Sequence, residues 1–353
     1  MFSKSLIDLY DLDSDDLESL INLALKIKES PKEYMDRCHG KIMATLFYEP
    51  STRTQMSFKT AMLRLGGQVI GFDDPKNSSV AKGESLRDTV KIFANYADII
   101  VMRNPIEGAA FAASQYIDVP IINAGDGGHM HPTQTLTDVV TLKSELGRLH
   151  NLKIGLCGDM LNSRTVHSLI KTMSRYEDNC FYLISAKELE LPEYVLDFMR
   201  EHKVEFKTFD NIEDCIPDLD VLYMTRIQRE RFDKEEDYQR QKGIFILTVD
   251  KMKKAKEDMI IMHPLPKVDE IDVEVDDDKR AKYFEQARYG LFARMALIIK
   301  MLESDNKSTA QYDLSDSLCK NPKCITQTET YLKPYVSTVG ENKYCAYCDT
   351  KIN

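Results

Sequence analysis

The chain has 353 residues, a length that suits two domains of about 150 residues plus a smaller element. Its apolar fraction of 43% is that of a globular protein, and no run of about 18 apolar residues predicts a membrane span. The net charge of −10 argues against nucleic acid as a partner. The first residues lack an apolar signal core, so we expect a cytoplasmic protein whose thiols are reduced.

Short apolar runs alternate with helical patterns through the first part of the chain. A helical stretch from Asp13 to Ile27 comes first. It is followed by predicted strands at 41–47, 68–72, 99–102 and 119–123 and by helices at 55–65, 85–94 and 133–146. The intervals between strands are long enough for crossover helices, which predicts a parallel sheet.

A second series of the same kind begins at Lys153. Its predicted strands are 154–157, 181–184, 205–209, 221–224, 245–247 and 260–262, and its helices are 165–174, 192–201 and 279–301. We therefore predict an α/β fold with two doubly wound parallel-sheet domains, residues 1–148 and 149–302, in which the last helix is able to pack back on the first domain. In such sheets ligands bind at the carboxyl ends of the strands.

The C-terminal tail differs in composition from the rest. Residues 303–314 are polar and predict a linker, and residues 315–353 hold too few aliphatic side chains to form a core unaided. This module contains four of the eight cysteines, in a C-x₄-C and a C-x₂-C pair: Cys319, Cys324, Cys345 and Cys348. Two such pairs can deliver four thiolates to one structural zinc per chain, with no coordination position left for chemistry.

Two other interpretations of the tail are open at this point. The four cysteines could be ordinary free thiols in an unstructured segment. Alternatively, the tail could be a zinc ribbon that binds nucleic acid, although five Lys against three acidic residues in 319–353 give only a weak basic excess. A module for assembly or docking fits this composition better.

Cationic and hydroxyl side chains recur where predicted strands end. Glu49-Pro50-Ser51-Thr52-Arg53-Thr54-Gln55 follows the first strand and opens a helix, whose unpaired N–H groups and positive dipole end suit a phosphate. Arg53 adds a planar fork for phosphate oxygens. Alone, this segment could equally be a helix cap with a surface arginine.

Further motifs of the same kind argue against a mere helix cap with a surface arginine. They are Ser78-Ser79-Val80-Ala81-Lys82-Gly83-Glu84, Arg103 at a strand end, His131-Pro132-Thr133-Gln134, Arg164-Thr165-Val166-His167-Ser168-Leu169, Arg226-Ile227-Gln228, and His263-Pro264-Leu265-Pro266. Gln134 lies one helical turn after His131 on the same face. Each Arg has a local ion pair as its simple explanation, so only the set as a whole is specific.

As a set, these motifs resemble the aspartate carbamoyltransferase catalytic chain over roughly residues 3–302. The resemblance implies transfer of a carbamoyl group from carbamoyl phosphate to L-aspartate, giving N-carbamoyl-L-aspartate and phosphate, in pyrimidine biosynthesis. The tail is similar to the zinc domain of that enzyme's separate regulatory chain, without a counterpart of its nucleotide-binding domain. The chain therefore looks like a catalytic subunit fused to a zinc module, which we expect to pack on a catalytic domain where a separate regulatory chain would dock.

The resemblance also implies roles for individual residues. Carbamoyl phosphate would be bound by Ser51, Thr52, Arg53, Thr54, Arg103, His131, Gln134 and the carbonyl groups of Leu265 and Pro266, and catalysis would rest on Arg53, Thr54, Arg103 and His131. L-aspartate would be bound by Lys82, Arg164, Arg226 and Gln228. Ser79 and Lys82 would reach a neighbouring chain in a homotrimer with shared active sites, although Ser78 is an alternative to Ser79. No cofactor is expected for catalysis.

Competing functions are ornithine carbamoyltransferase and an inactive scaffold. The first uses a Cys in the His-x-Leu-Pro turn, where this chain has Pro264, and it must bind a side-chain cation, whereas Arg226 and Gln228 suit a dicarboxylate. The intact cationic and amide set argues against the second. We expect no nucleic acid, no membrane and no separate regulatory chain as partners.

Overall fold

The computed structural model describes residues 5–227, 245–304, 312–339 and 342–352. Contacts divide the chain into two compact units, one comprising Met1–Thr133 with Leu291–Asn353 and the other Gln134–Gly290. The helices are α1 Ser14–Glu29, α2 Thr52–Arg64, α3 Leu86–Ala94, α4 Ala109–Ser114, α5 Pro132–Leu146, α6 Arg164–Met173, α7 Glu193–Glu201, α8 Val249–Met252 and α9 Tyr283–Glu303. In the described ranges, no helix is long and apolar enough to cross a membrane.

The first unit is built on a parallel sheet of four strands, β1 Ile42–Phe47, β2 Gln68–Phe72, β3 Ile99–Asn104 and β4 Ile121–Asp126. The spatial order is β2-β1-β3-β4. The central strands β1 and β3 are almost wholly buried, as expected for strands covered on both faces. Their carboxyl ends therefore meet at one edge, where Glu49 and Arg103 lie.

The second unit holds a parallel sheet of five strands. These are β5 Lys153–Cys157, β6 Cys180–Ile184, β7 Glu205–Phe209, β8 Val221–Met224 and β9 Ile260–Met262, in the order β7-β6-β5-β8-β9. The order reverses at β5, and the loops that follow β5 and β8 carry Arg164 and Arg226. Both predicted parallel-sheet domains are thus confirmed.

The C-terminal module is a small antiparallel sheet of β10 Asp313–Leu314, β11 Tyr335–Val339 and β12 Asn342–Cys345. All four of its cysteines belong to the same apolar cluster as side chains of β1, β3, α3 and α4 in the first unit. The module has few aliphatic residues of its own, and it shares an apolar core with the first unit.

Some predicted boundaries differ from the structure. The predicted strand 245–247 is reduced to a single bridge between Leu247 and Ile271. The predicted strand 119–123 begins at Ile121, because Pro120 has no N–H to donate and contributes only its carbonyl, to Ile100. Helix 279–301 begins at Tyr283, and from Leu291 onward it groups with the first unit. The short helix α4 was missed, since six Ala, Phe and Ser residues carry no helical periodicity.

The predicted division at residue 148 remains a prediction. In the structure the contact boundary falls inside α5, after Thr133. Leu314, placed in the predicted linker, already pairs with Tyr335 of the module sheet.

Candidate active site and candidate zinc centre

The junction between β1 and α2 presents a helix N-terminus at the end of a buried strand. Ser51 is the N-cap residue of a 13-residue helix, and its side chain makes no capping hydrogen bond. Thr52 and Arg53 are exposed and Thr54 is buried. Burial and the nearby Arg103 both lower the pKa of the Arg53 guanidinium, which shows that two cations face the same region. Such a pairing is tolerated where an anion is to be bound.

Arg103 is a mostly buried cation with contacts to three neighbours. Its Nη2 lies 2.6 Å from Glu49 Oε1, and its Nη1 donates to the carbonyl of Ala124 and to Nε2 of His131, each at 3.3 Å. Burial lowers the pKa of Arg103, and Glu49 opposes this effect. Among the described residues, its buried Nε has no hydrogen-bond partner. A buried donor without a partner beside a second cation is typical of a site for a ligand oxygen.

The segment from Ser78 to Lys82 is a single 3₁₀ turn on the surface of the first unit. The Ser78 hydroxyl donates to the carbonyl of Pro75 at 2.8 Å and accepts from the N–H of Val80. Ser79 and Lys82 are exposed. The local bonds of Ser78 favour Ser79 as the serine that contacts a ligand or another chain.

In the second unit, Arg164 begins helix α6 directly after its N-cap Ser163. Arg226 follows β8, one residue beyond the buried Thr225, whose N–H and hydroxyl both donate to the carbonyl of Cys157. Gly158, at φ +113°, permits this approach, because a Cβ there would lie 2.4 Å from the carbonyl oxygen of Thr225. Both arginines thus follow neighbouring strands, β5 and β8, of the same sheet. The predicted contact Gln228 lies outside the described residues.

The turn after β9 is fixed by its histidine. Nδ1 of His263 accepts from the N–H of Leu265 at 2.8 Å, so Nε2 carries the proton and donates to Glu270 at 2.7 Å. Burial opposes the ionisation of Glu270, but the bond to His263 holds the pKa of this carboxyl below its usual value. His263 is therefore a support for the backbone of Leu265 rather than a group offered to a ligand.

Sequence reasoning missed a buried carboxylate in this unit. Asp138 lies one turn after Gln134 on α5 and accepts from its Nε2 at 2.8 Å. The side chain of Asp138 is fully buried and also accepts from Tyr223 and Gln286. The i, i+4 spacing of Gln134 and Asp138 was the available signal.

The four tail cysteines converge. Their Sγ atoms all lie within 4.8 Å of one another, and all four residues are buried. The distances from Cys319 to Cys348 and from Cys324 to Cys345 are 3.6 and 3.8 Å, too long for disulfide bonds. A tetrahedral zinc with Zn–S bonds of about 2.3 Å requires S···S separations of about 3.8 Å. The donor set therefore fits zinc.

Polar groups surround these sulfur atoms. The hydroxyl of Thr326 lies 3.2 Å from Sγ of Cys324, and the amide Nδ2 of Asn321 lies 3.5 Å from Sγ of Cys348. The hydroxyl of Thr350 is a further neighbour of Cys348, at 3.2 Å. Donors of this kind stabilise metal-bound thiolates and orient them.

The module contacts the segment between β3 and α4 through backbone bonds. Glu107 donates its N–H to the carbonyl of Lys323 at 3.1 Å and accepts from the N–H of Ile325 at 2.9 Å. The next residue, Gly108, has φ +84°, and a Cβ there would lie 2.5 Å from the carbonyl oxygen of Tyr347. The ring of Tyr347 packs edge-on against Phe111 of α4. The module therefore packs on the first unit, as expected, and its overlap with a docking surface for a separate regulatory chain stays a prediction.

A second set of contacts joins the module to the segments beside the predicted active site. Glu329 accepts from the N–H of Leu86, at the start of α3 and four residues after Lys82. On the other side, His129 bridges Asp126 and Asp349, with 3.1 Å to each carboxylate. Burial opposes a charge on His129, but the two carboxylates raise the pKa of its imidazole well above the usual value.

Comparison with known proteins places these features in a family. The model "Aspartate/ornithine carbamoyltransferase, carbamoyl-P binding domain" matches residues 4–144, and the model "Aspartate/ornithine carbamoyltransferase, Asp/Orn binding domain" matches residues 150–301. Together they span most of the chain and stop before the tail cysteines. The chain belongs to the aspartate/ornithine carbamoyltransferase family.

Individual relatives narrow the resemblance. The aspartate carbamoyltransferase catalytic subunit of Clostridium novyi (strain NT) is 58% identical over 299 residues, which are 85% of this chain and 98% of that protein. The corresponding subunit of Finegoldia magna is 55% identical over 300 residues, again 85% of this chain and 98% of that protein. The predicted family, and with it the prediction of a carbamoyltransferase enzyme, is confirmed.

Solved structures of aspartate transcarbamoylases also match this chain. The catalytic subunit of M. jannaschii aspartate transcarbamoylase matches with a TM-score of 0.82 and 47% identity, covering 86% of this chain and 99% of that chain. The Trypanosoma cruzi aspartate transcarbamoylase in complex with N-(phosphonacetyl)-L-aspartic acid matches with a TM-score of 0.79 and 38% identity, covering 84% and 95%. The two parallel-sheet domains of this chain are therefore those of aspartate transcarbamoylase catalytic subunits.

Proposed function

We propose that the chain transfers the carbamoyl group of carbamoyl phosphate to the amino group of L-aspartate, releasing phosphate and N-carbamoyl-L-aspartate. The observation that carries this proposal is the mostly buried Arg103, held by Glu49 and His131 with its Nε unsatisfied within the described part of the chain. The relatives named as aspartate carbamoyltransferases support the choice of reaction.

The phosphate group would be bound at the N-terminus of α2. The backbone N–H groups of the first turn, the hydroxyls of Ser51, Thr52 and Thr54, and the guanidinium of Arg53 supply donors and positive charge. The depressed pKa of the Arg53 guanidinium is consistent with a cation whose intended partner is an anion.

Negative charge grows on the carbamoyl oxygen as the amine attacks. Arg103, Thr54 and His131 would donate to that oxygen, which is oxyanion stabilisation. A guanidinium only donates, so Nε2 of His131 accepts from Arg103 here. For His131 to donate to the substrate, Nε2 would carry the proton in the complex, and the substrate oxygen would replace the contact with Arg103. The departing phosphate can accept the proton from the amine, so no side chain need act as a covalent nucleophile.

The two carboxylates of L-aspartate would be bound by Arg164, Arg226 and Gln228, with Lys82. Arginine forks at the ends of neighbouring strands suit a dicarboxylate, whereas the side-chain cation of L-ornithine would be repelled. Gln134 and the carbonyl oxygens of Leu265 and Pro266 would accept from the carbamoyl NH₂. Positioning both substrates would supply much of the rate.

Ser79 and Lys82 would serve the active site of a neighbouring chain in a homotrimer. Their exposure on this chain, and the local bonds that occupy Ser78, support this assignment. Mixing two inactive variants, Lys82→Ala and Arg103→Ala, tests it. If sites are shared, dissociating and reassembling the mixture must restore activity that neither variant has. Absence of any recovery would contradict the shared site.

The C-terminal module would bind one structural zinc and act in assembly rather than in chemistry. It covers a face of the carbamoyl phosphate-binding region that includes Glu107, Gly108 and Phe111. Because this face is already occupied, a separate regulatory chain would have no place to dock there. A cytoplasmic location and the domain limits 1–148, 149–302 and 315–353 belong to the same proposal.

Ligand binding tests the proposed function without turnover. N-(phosphonacetyl)-L-aspartate, the ligand of the T. cruzi relative, joins a phosphate mimic to the aspartate carboxylates. It should raise the melting temperature of the wild type more than phosphate and L-aspartate together do. Arg53→Ala and Arg226→Ala should each abolish most of that rise. No rise in the wild type would contradict the proposal.

A further inference from the structure

Asp138 is a fully buried carboxylate, and three of its side-chain donors are among the described residues. Its Oδ1 accepts from Nε2 of Gln134 at 2.8 Å and from Nε2 of Gln286 at 2.7 Å, and its Oδ2 accepts from the hydroxyl of Tyr223 at 3.0 Å. Burying a carboxylate is costly unless such bonds satisfy it. The donors come from α5, α9 and β8, so one group ties three separate elements of the second unit together.

The bond to Gln286 continues to the turn after β9. Oε1 of Gln286 accepts from the N–H of His263 at 2.9 Å, and Nδ1 of His263 accepts from the N–H of Leu265 at 2.8 Å. Leu265 has φ +56°, a left-handed conformation that a branched side chain rarely adopts. Such a conformation persists where surrounding bonds hold it. The chain of bonds from Asp138 through Gln286 and His263 is that support.

The bond to Gln134 fixes which end of its amide faces away from Asp138. Because the NH₂ group donates to a carboxylate, the end of the Gln134 amide that is turned away from Asp138 is the oxygen, which is an acceptor. The carbonyl groups of Leu265 and Pro266 are likewise acceptors. The network therefore has acceptors at both ends, at Gln134 and at the 263–266 turn. Such acceptors can form hydrogen bonds with an NH₂ group but not with a methyl group.

We propose that Asp138 is a positioning residue that holds Gln134 and the 263–266 turn as a joint acceptor site for the carbamoyl NH₂. The assignment rests on the proposed function and deepens it, since it makes Asp138 a determinant of preference for carbamoyl phosphate. Acetyl phosphate, which has a methyl group in place of NH₂, and inorganic phosphate, which has neither, are the informative comparison ligands. An unpaired acceptor site rejects an analogue that lacks the donor.

The experiment compares binding of carbamoyl phosphate, acetyl phosphate and inorganic phosphate to the purified full chain. Three variants probe the network. Asp138→Leu removes it, Gln286→Met removes the bonds to Asp138 and to His263 but keeps the bond from Gln134 to Asp138, and Asp138→Asn keeps a carbonyl for both glutamines. Thr141→Val is the matched control, because Thr141 is also buried on α5 and donates only to the carbonyl of Thr137.

Asp138→Leu and Gln286→Met should each weaken carbamoyl phosphate binding about 10- to 100-fold. Binding of acetyl phosphate and phosphate should change less than about twofold, so the preference collapses. Asp138→Asn should retain most of the preference for carbamoyl phosphate, and Thr141→Val should have the same preference as the wild type. If Asp138→Leu fails to fold, the ligand preference of Gln286→Met alone tests the positioning role.

A purely structural role gives a different pattern. All three ligands would then lose affinity together, or the preference would survive in both Asp138→Leu and Gln286→Met; either result overturns the proposal. The affinity for carbamoyl phosphate relative to the other two ligands is measured without aspartate, so it does not depend on turnover. Failure of the wild type to carbamoylate L-aspartate would instead contradict the proposed function.

Discussion

Nη2 of Arg103 lies 2.6 Å from the carboxylate of Glu49, so the cation at the end of β3 is held against the segment that follows β1. The pair brings a buried positive charge to the edge of the sheet where α2 begins. Its opposite guanidinium nitrogen meets His131. Arg103 therefore contacts Glu49 and His131 through different guanidinium nitrogens.

Replacing Arg103 by Ala should lower kcat/KM for carbamoyl phosphate by about 100-fold or more, because it removes a charged donor to the developing oxyanion. Steady-state kinetics at saturating L-aspartate measures this. Arg64→Ala is the control, since Arg64 is an exposed cation at the end of α2. A loss smaller than tenfold would contradict the assigned role.

The cysteine cluster should hold about one zinc per chain. Cys324→Ser should release it and lower the melting temperature, because metal binding supplies the folding energy that the module lacks. Metal analysis and thermal unfolding measure both effects. Cys180→Ser, at a half-buried cysteine of β6, should change neither. Wild-type protein without zinc would argue against the centre.

Docking of the module depends on close approach at Gly108. Gly108→Ala should detach the module, since its Cβ would overlap the backbone of Tyr347. Gly40→Ala is a matched control with a similar φ of +75° and open space around its Cβ. Both variants share the strain of a positive φ, so only Gly108→Ala should expose the tail to limited proteolysis. Equal cleavage of both variants would rule out the packing explanation.

His167 should make stability depend on pH. Its Nε2 donates to the carbonyl of Met160 and its Nδ1 accepts from Tyr194, so the ring is held neutral. Burial lowers the pKa of His167 from 6.5 to about 4. The stabilisation is therefore fully present above about pH 6.5 and is lost as the pH falls toward 4, and it amounts to about 3 kcal/mol.

Urea unfolding at neutral and acidic pH checks this dependence. His167→Gln should lose less stability on acidification than the wild type does. His202→Gln, at an exposed position after α7, should keep the wild-type dependence. If His167→Gln and the wild type lose equal stability on acidification, His167 is not the responsible group.

Local patterns account for what could be predicted. Strands such as Gln68–Phe72 and Glu205–Phe209 were predicted residue for residue, because short apolar or β-branched runs lay between clear helical periods. Arg53, Arg103 and His131 were predicted as site residues because each belongs to a motif at a strand end, and their roles stay predictions. The grouping of the four tail cysteines was predicted from their spacing alone, and their Sγ atoms do converge.

Contacts between distant segments could not be predicted in this way. The bond from Asp138 to Gln286 joins residues 148 positions apart, and the bridge from His129 to Asp349 joins residues 220 apart. Neither residue of a pair carries a local signature of its partner. Gly108 is similar, since its positive φ and the close approach of Tyr347, which together favour glycine there, are visible only in the structure.

The most direct test of the account is product formation from labelled carbamoyl phosphate with L-aspartate or with L-ornithine. Purified full-length chain should form N-carbamoyl-L-aspartate and release one phosphate for each product molecule, with no product from L-ornithine. Arg226→Ala should lose activity mainly through a higher KM for L-aspartate. No turnover with L-aspartate, or a preference for L-ornithine, would contradict the account.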